Sequence, residues 1–450
     1  TDLYDAIEWI AGQNWCTGKV GMIGQSYFGM AQWSAAIQAP PSLACIAPYD
    51  AKIDHYRDGQ FHGGIPAFGL PIIWSFGVRY NHLNGPPGPE SAARLKTDLV
   101  QAMLAHPTDD EFWRLRSPYW GLAGSTVPTF SIGSWGKNAL HLRGNLIGYE
   151  LTSGPKKLLV EEAGQSVRLG AVRAQQDFER PEFHEKVLLP WYDYWLKGHD
   201  TGVMDDAPVT TFVSGIAEYV AWSEWPPKEI EYSNLYLRRR PSGAVVSLND
   251  GSLSQEPPLS GEGGTTYSYP RQEWHLGPVE FKPDGSSDPT SQVLTWTTEP
   301  LEQDVMIAGP IAVVLYASSD QLDTDFFVKL WDQVPSGTGQ NHRDVLLARG
   351  WLRASHRELD ESRSTIGRPF HPHRDPKPIE PGKVYRFDIE VWPIAHVFVT
   401  GNRIRLQLTN GDSSVTDGNY SHFYGLKFGS DTILHDADNP SHVVLPIMPR

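Results

Sequence analysis

The chain has 450 residues, with 38 Lys and Arg against 53 Asp and Glu and a formal net charge of −15. With no basic run, that balance argues against nucleic acid and against an anionic membrane surface as partners. No stretch approaches the roughly 20 apolar residues of a membrane span, and two cysteines, Cys16 and Cys45, are too few for a disulfide scaffold.

A soft prior of roughly 100 to 200 residues per domain predicts two to four units. The 42 glycines, 36 prolines and 16 tryptophans fit a loop-rich enzyme or a β-rich protein better than a helical bundle. Each cysteine lies beside an expected strand and reads as a small buried residue, which leaves the compartment open with the cytoplasm favoured.

Residues 1–13, TDLYDAIEWIAGQ, predict an amphipathic helix with Leu3, Ile7 and Ile10 on one face. No initiator methionine or targeting segment precedes it, so the chain reads as beginning inside a domain. A strand at 19–24 runs straight into Gly24-Gln25-Ser26-Tyr27-Phe28-Gly29, and the alanine-rich stretch 30–39 reads as helix. A serine on a sharp strand-to-helix turn is the pattern of a nucleophile elbow, in which small neighbours let strand and helix approach closely. A second strand at 43–49, LACIAPY, completes a parallel crossover.

From 50 to 127 the hydrophobic period breaks into Gly, Pro, His and aromatic loops, with helices expected at 91–105 and 109–116. We read this as a helical insertion over the elbow. Parallel-sheet logic resumes with strands at 127–135 and 156–161 and helices at 139–151 and 181–196. After about residue 201, short alternating runs at 209–213, 233–237, 306–316, 325–334, 384–392 and 403–408 predict an antiparallel sandwich. Residues 252–291, rich in Gly, Ser, Pro and Glu, read as a long surface connection. The expected organisation is an N-terminally incomplete α/β-hydrolase domain (1–52 and 126–200), a helical insertion over it (53–125) and an antiparallel β-sandwich (201–450).

At this level the sequence resembles the group of serine hydrolases containing cocaine esterase and the X-prolyl dipeptidyl-peptidases. The segment YDAIEWIAGQNWCTGKVGMIGQSYFGMAQWSAA is similar to that family's elbow, including its G-x-S-Y-x-G form, which accounts for Gly29 lying three residues after Ser26. APYDAKIDHYRD followed by Gly63-Gly64 resembles the entry to the family's cap, and VLLPWYDYWLKGHDTG its last hydrolase helix. IAGPIAVVLYASSDQLDTDFFVKLWDQVPSG, RFDIEVWPIAHVFVTGNRIRLQLTNGD and HVVLPIMP resemble its C-terminal jelly roll.

The resemblance implies a Ser-Asp-His hydrolase of esters or amides, X-prolyl dipeptides among them, with Ser26 as nucleophile and the backbone N–H of Tyr27 as an oxyanion donor. It implies a second oxyanion donor, a tyrosine, from a region before the elbow that this sequence does not contain. We therefore expect the elbow strand at a sheet edge, completed by a longer gene product or by another chain. Where the family places its aspartate this sequence has Lys137, and where it places its histidine this sequence has Gln165 or Ser166. His141, the nearest alternative histidine, reads first as a cap or packing residue. Glu161 and Glu162 read first as solvated and second as carboxylate bases, and His55, beside Asp54 and Asp58, has the same two readings. The alternative to catalysis is a family member with a degenerate triad that serves binding or assembly.

The clusters FHPHRDPKP and DHYRDGQFH lack metal-ligand spacing, and we expect neither a metal nor another cofactor. The expected partner is a small-molecule ester, amide or peptide substrate. Assembly as a homo-oligomer stays open.

Overall fold

The computed structural model describes residues 2–75, 77, 98–162, 177–271, 274, 278, 292–335, 344–412, 417, 422 and 427–449. Helix α1 (Asp2–Ala11) buries Ile7 and leads to strand β1 (Val20–Gln25), helix α2 (Tyr27–Gln38) and strand β2 (Leu43–Tyr49). A short hairpin, β3 (Phe61–His62) and β4 (Ile65–Pro66), and helices α3 (Gly69–Trp74), α4 (Leu99–Ala105) and α5 (Glu111–Arg114) follow. Residues 91–97 of the expected helix 91–105 lie outside the described residues, and α4 falls in its second half. Strand β5 (Thr129–Ser134), helix α6 (Leu142–Leu151) and strand β6 (Lys156–Glu161) then restore the parallel pattern. A helical segment at 181–197 crosses to β7 (Val209–Val213) and β8 (Glu218–Trp222).

These strands form one sheet in the order β1-β2-β5-β6-β7-β8, parallel from β1 to β7 and antiparallel at the β7–β8 edge. The apolar run of β2 is explained by cover on both faces. Ile46 packs with Trp33, Ala36 and Ile147 on one side, while Cys45, Ala47 and Tyr49 pack with Phe183 and Trp191 on the other. Cys45 is buried and its thiol is pushed up to about 12, chiefly by burial, so it is an inert packing residue.

The strand Val209–Val213 departs from the expectation. It pairs in parallel with β6 in the first sheet, Leu158 opposite Val209, instead of joining the sandwich. Alternation reports that one face of a strand is buried, but not which sheet buries it.

Among the described residues, the rest of the chain forms a β-rich domain of eleven strands. They begin with β9 (Glu231–Pro241), β10 (Gly251–Ser254), β11 (Gly264–Tyr269), β12 (Leu294–Thr297), β13 (Val305–Ser319) and β14 (Asp325–Gln333). They continue with β15 (Val345–Arg353), β16 (Tyr385–Phe398), β17 (Arg403–Thr409), β18 (Gly429–Leu434) and β19 (His442–Ile447). Long strand β13 pairs with β16 along one side and with β19 along the other, which bends the sheet round into a barrel-like closure. Along β13 the period is two: Ile311, Val313 and Leu315 enter the main core, while Ala312 and Val314 pack with Val444 on the opposite face. The stretch 252–291 is not simply a surface connection, because it carries most of β10 and all of β11. Tyr267 and Tyr269 alternate inward there and donate to buried Asp431, an inward-facing pair that the polar composition around them obscured.

The turn at Ser26 leaves no room for a side chain at Gly29. A Cβ at Gly29 would lie 2.8 Å from Ala51 Cβ and 2.9 Å from the Tyr49 carbonyl oxygen, so α2 could not rest on the end of β2. At Gly124 the same atom meets nothing within 4 Å. Gly29→Ala should therefore cost about 1–3 kcal/mol of stability, against within about 0.5 kcal/mol for Gly124→Ala. Denaturant unfolding of the two variants checks this, and equal midpoints would contradict it.

Candidate active site

Ser26 turns the chain from β1 into α2 at φ 57 and ψ −116, a backbone region that L-residues rarely occupy. Such a conformer costs about 1–3 kcal/mol and persists only where its surroundings enforce it. The enforcement is visible. The Ser26 N–H donates to the Tyr49 carbonyl at 3.0 Å, and the Ser26 carbonyl accepts the first bond of α2 from the Met30 N–H at 2.8 Å. Gly24 sits at φ 154, where an added Cβ would lie 2.3 Å from Phe28 Cβ. The Tyr27 N–H, in the first turn of α2, has no acceptor within its own helix. The side chains of Tyr27 and Phe28 stand 71% and 69% exposed beside the serine.

Buried carboxylates support the turn from below. Asp50, at φ 43 just after β2, accepts hydrogen bonds from the Ser134 hydroxyl at 2.9 Å and the Gln25 amide at 3.2 Å. Glu161, expected to be solvated, is instead buried at the end of central strand β6 and accepts a short hydrogen bond from the Tyr49 hydroxyl. Tyr49 is packed against Phe178 and Phe183, which exclude water from that carboxylate. Glu162, one residue on, is exposed.

Among the described residues, His141 is the side chain that reaches the serine. Its Nε2 lies 3.3 Å from Ser26 Oγ. The cap reading fails: His141 stands at the N-cap of α6, yet its side chain makes no capping bond. The segment following β5 folds back over the elbow, the Trp135 indole donates to the Phe212 carbonyl at 2.6 Å, and the His141 N–H bonds the Lys137 carbonyl at 3.2 Å. His141 Nδ1 is buried with no hydrogen-bond partner among the described residues. Burial first, and then the charges of Lys137 and Lys52, hold the imidazole well below its ordinary pKa, so it is neutral at neutral pH. Lys52 is itself buried, its ammonium pushed down to about 8 by burial and donating to Gln60 Oε1 at 3.1 Å.

The other candidates do different work. Lys137, at the aspartate position, is half-buried, and Gln165 and Ser166 lie outside the described residues. His55 is held down to about 3 by burial and by Lys52. Asp54 and Asp58 form buried ion pairs, Asp54 with Arg57 at 2.9 Å and Asp58 with Arg143 at 2.9 Å. His371 is buried with its ring nitrogens 2.9 Å from the Glu358 carbonyl and 2.7 Å from the Asp388 carbonyl, and donates to one of them. Among the described residues no group of three or more His, Cys, Asp or Glu is arranged to hold a metal ion. The sequence reading missed Asp50, Lys52 and Arg143. A cation in the first turn of the helix LRGNLIGYEL was the available signal for Arg143, since the helix dipole opposes it there.

A strained strand–serine–helix turn at the C-terminal ends of a parallel sheet, with a β-rich domain after it, defines an α/β-hydrolase-type protein. Residues 1–164 match the family described as X-Pro dipeptidyl-peptidase (S15 family), and residues 201–444 match its C-terminal non-catalytic domain. The chain belongs to this family of hydrolases. It is 27% identical to cocaine esterase from Rhodococcus sp., over 100% of this chain and 84% of that protein. The solved structure of a CocE/NonD family hydrolase from Staphylococcus aureus superposes with a TM-score of 0.80 at 24% identity, covering 99% of this chain and 75% of that one. An α-amino acid ester hydrolase superposes with a TM-score of 0.74 at 21% identity, covering 99% and 80%.

Proposed function

We propose that this protein is a serine hydrolase that cleaves an ester or amide bond through an acyl-enzyme on Ser26, with His141 as its general base. The observation that carries the reading is the 3.3 Å approach of His141 Nε2 to Ser26 Oγ on the strained elbow. In the first half-reaction Ser26 Oγ attacks the carbonyl carbon while its proton passes to Nε2. The tetrahedral oxyanion is met by the Tyr27 N–H at the start of α2. Collapse expels the alcohol or amine, which takes the proton from Nε2. Water then repeats the sequence on the acyl-enzyme and releases the acid. Esters are the favoured substrates, in keeping with the names of the Rhodococcus relative and of the α-amino acid ester hydrolase. The β-rich domain is read as the family's jelly roll.

In place of the family aspartate the surroundings of the imidazole are cationic, which supports a serine–histidine pair whose base is kept neutral by burial and repulsion. Hydrolysis of p-nitrophenyl esters and of X-Pro-p-nitroanilides should be lost in Ser26→Ala. In His141→Ala, kcat should fall roughly a thousandfold or more. Turnover that survives both substitutions sinks the mechanism, and absence of any turnover favours the non-catalytic reading.

The pH dependence has a definite sign. A base acts only when neutral, so a folded-state pKa below the ordinary 6.5 for His141 places the acid limb of kcat/KM below pH 6.5. Lys137→Met removes one of the repelling charges and should move that limb upward. A wild-type limb at or above pH 6.5, or one unmoved in Lys137→Met, contradicts the assignment.

A further inference from the structure

We propose that Glu390, on strand β16 of the β-rich domain, is a positioning residue for the hydrolytic centre: through Arg143 it holds the first turn of α6, and with it His141, against Ser26. The inference rests on the Ser26–His141 reading and extends it to a domain whose family description is non-catalytic.

The geometry is a bridge. Arg143, two residues after His141, is 2% exposed. Its Nε donates to Glu390 at 3.0 Å and one terminal nitrogen donates to Asp58 at 2.9 Å. Asp58 is itself fixed, because its second oxygen accepts the N–H groups of Ile53 at 3.0 Å and Asp54 at 2.9 Å. One guanidinium therefore ties the start of α6 to the chain leaving β2 on one side and to the β-rich domain on the other. A cation in a first turn faces the positive end of the helix dipole, so its place depends on those two carboxylates.

A second contact brackets His141 from the other direction. Asn138 Oδ1 accepts from Arg349, on β15, at 2.6 Å, and its amide nitrogen donates to the Leu347 carbonyl at 3.4 Å. The segment that carries His141 is thus held by the β-rich domain three residues before the histidine and two residues after it. The far end of α6 has its own anchor, a fork in which Arg368 meets both oxygens of Glu150 at 2.6 and 2.8 Å. Among the described residues three polar ties join this helix and the segment before it to the β-rich domain, and the two nearest His141 act on its register. At 3.3 Å the Ser26–His141 contact is already long, so a small displacement of the first turn breaks it.

The test compares three variants on a p-nitrophenyl ester. Glu390→Gln keeps the side-chain shape and removes the charge, and Arg143→Lys keeps the charge but cannot reach both carboxylates. Arg368→Gln cuts the far anchor and serves as the control for domain docking alone. For the first two, kcat should fall roughly 10- to 100-fold, the range in which a misplacement of about 1 Å acts, with KM within about twofold. Arg368→Gln should lower the melting temperature by a similar amount and leave kcat within about twofold. Glu390→Asp should recover part of kcat, because the carboxylate is restored.

A wild-type kcat in Glu390→Gln, or an equal fall in Arg368→Gln, overturns the proposal while leaving the serine–histidine mechanism standing. Should Glu390→Gln not fold, Arg143→Lys carries the same comparison. Wild-type turnover that survives Ser26→Ala overturns the mechanism, and the positioning role falls with it.

Discussion

A single residue, Ser26, converts strand into helix, and much of the architecture around it can be read as the means of holding that backbone conformer. The turn needs α2 to lie against the end of β2, which leaves no room for a Cβ at Gly29 beside Ala51 and the Tyr49 carbonyl. It needs β1 to end under Phe28, which fixes Gly24. The neighbouring strand shares the strain: Asp50 also has positive φ, and its carboxylate is held by side chains from β1 and β5. The strained positions therefore gather where parallel strands end, the location at which such sheets expose reactive groups.

Around that turn the charges are organised in two ways. The carboxylates of Asp54, Asp58, Asp109 and Glu390 are each paired with a buried guanidinium, from Arg57 or Arg143. Taking such groups out of water costs several kcal/mol per ion unless geometry repays it, so these pairs fix the relative placement of the segment 54–58, α6 and the β-rich domain. The ammonium of Lys52 is different. It has an amide partner, Gln60, and together with Lys137 it surrounds the imidazole with positive potential, although the whole chain is acidic. A histidine in that setting is a weaker base than one beside a carboxylate, and one that stays unprotonated in mild acid.

The elbow and its flanking elements were legible because their signals are local: a six-residue strand, a serine between small residues, and a helix. Strand β6 coincides with the expected range for the same reason. What was not legible depends on pairing at a distance. Val209–Val213 alternates as a sandwich strand would, and only its parallel register with β6 assigns it to the first sheet. The strands β10 and β11 are hidden in a polar composition. His141 follows Ser26 by 115 residues, so its position before a helix suggested a cap, and only the fold-back of the chain after β5 shows what its ring faces. Glu161 was visible as a strand-end carboxylate, but its burial is set by aromatic residues of the segment before 181–197 and of that segment itself. The strand–serine–helix pattern singled out Ser26, and the family resemblance added the expectation that Lys137 and Gln165 stand where an acid and a base would be. Neither pointed to the neighbour that the hydroxyl meets.

Activation of Ser26 by His141 would make the hydroxyl reactive towards phosphonylating reagents. The direct measurement is peptide mapping after incubation of the folded protein with a fluorophosphonate, which phosphonylates only an activated serine. The account predicts one adduct per chain, on Ser26, formed much more slowly in His141→Ala. An unlabelled folded protein, an adduct on another residue, or labelling of Ser26 at the same rate without the histidine would contradict it.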